Sequence, residues 1–132
     1  MVVILTSHEL MQHGLVWAGY DRLRQQRVQG STNIERFKTK YGSTPLVCAQ
    51  IWEDLQTTEI PEAHVDGAYL DLKYFLVAKN WLFRYPTDEE QAASFGSCST
   101  TVRKWKWFYV QKIAALKVQK VSLLPGRYHR DY

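Results

Sequence analysis

Cysteine is scarce in this chain: its 132 residues include two, Cys48 and Cys98. Two thiols make neither a disulfide framework nor a tetrahedral metal site, and free thiols point to a reducing compartment. Long apolar runs are also missing, and no stretch approaches the ~20 residues that span a bilayer. The opening MVVILTSHEL is apolar for a few residues, but it has no basic region and no small-residue cleavage pattern. A nuclear or otherwise intracellular protein is expected. The four histidines, His8, His13, His64 and His129, lie in unrelated segments, and His8 and His13 are not spaced as an i, i+4 pair of metal ligands. Nucleophile elbows, phosphate-binding loops and dinucleotide fingerprints are missing as well; GSTP and FGSCS hold one glycine each. These absences argue against an enzyme, and no metal or cofactor is expected.

The most informative shortage is of acids. After Glu90 the chain holds a single one, Asp131. Residues 1–52 carry six basic and three acidic side chains, residues 53–90 carry three and nine, and residues 91–130 carry eight and none. The net charge of +4 therefore conceals an acidic middle and a basic C-terminal third. Segregation of this kind builds an electrostatic field suited to an anionic partner, whereas a solvated lysine-rich helix is the bland alternative. Hydrophobic content of 45% is ordinary for a soluble globular domain, while 14% aromatics is high and predicts a core filled with rings.

Helical signals dominate. Ser7 is a candidate cap for a helix running to about Val28, and Gly30–Thr32 reads as a break. Thr32 with Glu35 matches a capping box for a helix that should stop at Gly42. Ser43, with Pro45 in the first turn, should start PLVCAQIWEDLQTT. EIPEAHVDG reads as a loop, and AYLDLKYFLVAKNWLFRY as a helix that must end before Pro86. Thr87 and Glu90 form another capping box, Gly96 closes that short helix, and a long one follows from Ser99 to about Val121. The expected fold is all-α, a bundle of five or six helices. Residues 1–30 would form an N-terminal helical extension, 31–121 a helix-turn-helix domain and 122–132 a polar tail.

Residues 91–107 carry the candidate function. Ala92, Gly96, Val102 and Trp105 have helix-turn-helix spacing: a small residue where two helices cross, a glycine at the turn, and an apolar residue packing back. Ser97 departs from the pattern, which usually has an apolar residue there. On a wheel of ~100° per residue, Val102, Trp105, Tyr109, Ile113 and Leu116 share the core stripe. Arg103, Lys104 and Trp107 fall on the far side with Gln111 behind them. Ser99 and Thr100 stand at the helix start, where unpaired N–H groups favour phosphate. Ser99, Thr100, Arg103, Lys104 and Lys106 are the candidate nucleic-acid contacts, with double-stranded DNA as the expected partner. Trp107, Val110, Ala114 and Val118 form a second apolar series, either sandwiched against the N-terminal helices or open to a protein partner. Asp88, Glu89 and Glu90 suit the N-terminus of their own helix.

The segments DLQTT, LKYFL, YPTDEEQ and FGSCSTTVRKWKW also give the chain a family likeness. From about Ile34 to Val121 it resembles the N-terminal region of Harbinger-type transposase-like proteins, especially those of unicellular algae such as diatoms. In that family a helical region with a helix-turn-helix precedes an RNase H-like domain with three metal-binding carboxylates. Those carboxylates have no positions here after Glu90, so the resemblance implies a DNA-binding module without the nuclease, and Trp107 could face the catalytic domain. The other reading is a non-catalytic α-helical adaptor or subunit of a larger assembly, its basic helix meeting protein, RNA or lipid headgroups.

Overall fold

The structure, a computed structural model, describes residues 5–57 and 72–123, with side chains up to residue 116. Among the described residues there are seven helices and no strand: α1 (Ser7–Trp17), α2 (Arg22–Gln26), α3 (Gly30–Tyr41), α4 (Pro45–Thr57), α5 (Leu72–Arg84), α6 (Asp88–Phe95) and α7 (Ser99–Leu123). The all-α expectation holds. The segments EIPEAHVDG and LLPGRYHRDY fall largely or wholly outside the described residues.

The additional helix comes from a break in what looked like one long N-terminal helix. Thr6, not Ser7, caps α1: its hydroxyl accepts from the Glu9 amide and the Glu9 carboxylate accepts from the Thr6 amide. The helix stops at Trp17 because Gly19 takes a φ of +97°, open to glycine at little cost. Asp21 then caps the short α2 through the Arg24 amide. The α3 start also differs from expectation. Gln29 is the N-cap and supplies no side-chain bond, so Thr32 and Glu35 lie inside the helix and form no capping box. At α4 the capping hydroxyl belongs to Thr44, which accepts from the Val47 amide, with Pro45 at the first helical position as expected. Ser43 is buried instead and accepts from Lys79 Nζ at 2.7 Å.

Two helix ends follow the sequence closely. Gly42 ends α3 at φ +81°, and a Cβ there would lie 2.6 Å from the Phe83 ring, so both conformation and space require glycine. Gly96 ends α6 at φ +69° in open space.

Packing falls into two connected halves. In one, α1 lies on α3 and α4. Gly14 lets α1 approach so closely that a Cβ would sit 2.5 Å from Phe37. Tyr41 fills the remaining space and donates its hydroxyl to the Gly14 carbonyl at 2.7 Å. Burial pushes the Tyr41 phenol well above its ordinary value, so it stays neutral and keeps donating. In the other half, α7 packs mainly on α5 and is braced by α6. Phe75, Leu76, Val102, Tyr109, Ile113 and Leu116 close this core, and each large apolar side chain buried there contributes about 1.5–3 kcal/mol.

Polar side chains link the halves. Arg84 donates to the Thr39 carbonyl at 3.0 Å and Asn80 to the Lys40 carbonyl at 2.9 Å, satisfying the open C-terminus of α3. Gln91 of α6 donates to the Val77 carbonyl and to Asn80. Ser94 accepts from Lys40 Nζ at 2.6 Å and donates to the Trp17 carbonyl at 2.8 Å, so one hydroxyl joins α6, α3 and the end of α1.

Candidate nucleic-acid interface

The α6–α7 junction is assembled from local signals. Thr87 accepts from the Glu90 amide and Glu90 returns a bond from the Thr87 amide, closing the expected capping box. Left-handed Gly96 then allows its own amide and that of Ser97 to reach the Ala92 carbonyl. Ser97, the residue that departs from helix-turn-helix patterns, is half-buried and shares a 3.1 Å hydrogen bond with the Tyr74 hydroxyl. Its contact with α5 is therefore polar. Cys98 accepts the first intrahelical bond of α7, from Val102, and its thiol lies 3.0 Å from the Thr101 hydroxyl. Hydrogen bonds from the Thr101 hydroxyl and amide hold that thiol below its usual range.

Along α7 the burial follows the wheel, with two exceptions. Val102, Tyr109, Ile113 and Leu116 are sealed. Thr100, Arg103, Lys104, Trp107 and Gln111 are exposed, and Ser99 is half-exposed. Trp105 is the first exception. It is only partly buried, stacked on Tyr74 at 6.1 Å and edge-on to Phe108 at 5.3 Å, with Lys104 Nζ 5.1 Å from its ring. It covers the core rather than filling it.

Lys106 is the second and more consequential exception. It is 3% exposed, and its ammonium is hydrogen-bonded to Asp88 at the start of α6. It is therefore an internal cation and no nucleic-acid contact. The signal was present in the register, since Lys106 follows Val102 by four residues and so falls on the core stripe. Asp88 also accepts from Arg103 Nε at 2.8 Å. The Lys106 bond, then the Arg103 bond, hold the Asp88 carboxyl below its ordinary range, and Asp88 in turn raises Arg103. Asp88 thus does more than complement its own helix dipole. It clamps α6 to α7 and fixes one edge of the Arg103 guanidinium, whose side chain stays 57% exposed. Lys112 is buried as well, and burial lowers its pKa. Of the four basic residues on α7 up to residue 116, two face solvent and two face inward.

Among its described members, the second apolar series is only partly covered. Trp107 leans on Trp81 of α5, ring centroids 4.8 Å apart at 64°, and remains 44% exposed. Val110 is half-buried, Ala114 is exposed, and the Val118 side chain lies outside the described residues. Trp81 in turn meets Tyr85 edge-on at 5.3 Å. Trp81 of α5 and Tyr85 just beyond it are not among the sequence candidates. The Tyr85 amide bonds the Trp81 carbonyl at the end of α5, which brings the two rings together. No helix among the described residues is long and apolar enough to cross a membrane, and those residues contain no cluster of three or more possible metal ligands.

No protein-family model matches the chain, and no curated protein or solved structure matches it at a significant level.

Proposed function

We propose that the chain is a DNA-binding helical domain in which α6, the turn at Gly96 and α7 act as a helix-turn-helix, in line with the Harbinger-type resemblance. The observation that carries this reading is the outward stripe of α7. Thr100, Arg103, Lys104, Trp107 and Gln111 are exposed together on a helix that contains no acid. Lys104 supplies a compact charge for a phosphate. Arg103, oriented through Nε by Asp88, keeps its Nη groups for a phosphate or a base edge. The N-terminal turn of α7 at Ser99 and Thr100 offers backbone donors. No catalytic role is assigned to the chain.

The adaptor reading draws support from one observation: Asp88 already partners Arg103 and Lys106, which reduces the positive charge available on this surface. A titration against labelled DNA at two salt concentrations separates the two. The DNA reading expects log affinity to fall with log salt by about 0.9 per phosphate contact, and Lys104→Ala to lower that slope by about one contact. Binding that is insensitive to Lys104→Ala and Arg103→Ala in folded protein favours the adaptor.

A further inference from the structure

A tryptophan in the middle of an outward-facing DNA-contact stripe needs an explanation. An indole offers one N–H donor and no acceptor, so it cannot match the bidentate patterns by which arginine or asparagine reads a paired base. It offers a broad π-face, whose natural nucleic-acid partner is another ring. Trp107 is also not alone. Trp81, half-buried, bridges it to Tyr85, the residue just after α5, which is 69% exposed, so three rings from α5, its C-terminal flank and α7 lie in a contiguous row.

This surface is preorganised. Tyr85 stands in the left-handed region at φ +53°, an uncommon state for a residue with a side chain. Its amide is bonded to the Trp81 carbonyl at 2.9 Å and Pro86 follows it, so the backbone on both sides is constrained. Held strain of this kind clusters at binding sites. Trp107 is pinned by Trp81, and Lys106 Nζ lies within 6 Å of both indoles (5.7 and 5.9 Å), fixed by Asp88. Exposed cations adjoin the rings: Lys104 and Arg103 precede Trp107 by three and four residues, about one helical turn. Rings beside cations on one face are the combination that binds unpaired strands, with bases on the rings and phosphates on the charges.

We infer that the Trp107–Trp81–Tyr85 surface stacks unpaired bases, so that the site takes single-stranded or locally opened DNA in preference to a closed duplex. The inference rests on the DNA-binding reading above and specifies its substrate. The test compares anisotropy titrations of a labelled oligothymidylate and a labelled duplex of equal length, using wild type, Trp107→Ala and Tyr85→Asn, the asparagine chosen because it tolerates positive φ. Circular dichroism establishes that each variant is folded. The expected result is tighter binding of the single strand and a loss of about 5- to 150-fold on Trp107→Ala, the equivalent of ~1–3 kcal/mol per stacked base. Tyr85→Asn should give a smaller loss in the same direction, and it decides the matter should the alanine variant unfold. A duplex bound at least as tightly, with both variants equal to wild type, overturns the stacking inference and leaves the DNA reading standing. Failure of both ligands to bind at low salt overturns both.

Discussion

The two halves of this molecule solve the same packing problem by different means. Where α1 meets α3, contact depends on shape: Gly14 removes a side chain, Phe37 fills the space, and Tyr41 satisfies a carbonyl from inside. Where α6 meets α7, contact depends on charge: a carboxylate with 19% side-chain exposure receives a buried ammonium and an exposed guanidinium. A shape-based contact is indifferent to pH, whereas a charge-based one answers to pH and, at its solvent-exposed arm, to salt. The half that responds to its surroundings is also the half that bears the candidate DNA surface.

The sharpest way to break the comparison is to open the shape-based contact. Phe37→Ala should cost about 3–5 kcal/mol as a core truncation, measured by urea denaturation, and the loss should be the same at pH 7 and pH 4. Asp88→Ala comes next at about 1.5–3 kcal/mol, the usual worth of hydrogen bonds to charged groups. Its pH dependence has a definite sign. The Asp88 carboxyl is depressed in the folded state. Its stabilisation is therefore full above the unfolded value near 4 and is lost as the pH falls through the lower folded value. The gap between wild type and Asp88→Ala should narrow below about pH 4, and a constant gap would show that the pair is not the source. The smallest effect is expected from Thr87→Ala, which removes one half of the α6 capping box for about 1 kcal/mol. By thermal denaturation it should act additively with Phe37→Ala, since the two side chains share no described partner.

Some helix boundaries were legible in the sequence and others were not. Gly42, Gly96, Pro86 and the Thr87–Glu90 box are signals that act within a few residues, and the structure uses each as expected. The break at Gly19 was harder to anticipate, because an isolated glycine inside a helix-rich stretch is tolerated as often as it interrupts. The Thr32–Glu35 pattern failed for the converse reason: two residues of the right type have no capping role once Gln29 has already started the helix. Along α7, the exposure of Arg103, Lys104, Trp107 and Gln111 follows the wheel. Lys106 departs from the expected outward placement because its register, four residues after Val102, puts it on the core stripe. Its burial is compensated by Asp88 and by the neighbouring indoles of Trp81 and Trp107, and no local pattern announces an acid eighteen residues away. The contact of Trp81 with Trp107 depends on how α5 lies against α7, a tertiary relation that no local pattern encodes.

The Ser94 hydroxyl has a consequence for the order in which the molecule can be completed. It ties to the Trp17 carbonyl across 77 residues of chain. At a synthesis rate of about 5–20 residues per second, the end of α1 waits roughly 4–15 s for that partner to be made. Meanwhile α3 and α4, which α1 also contacts, have already been made. The Ser94 bond, like the packing of Phe95 on Trp17 and Tyr41, can form only once α6 has been made, so the end of α1 is secured late in synthesis.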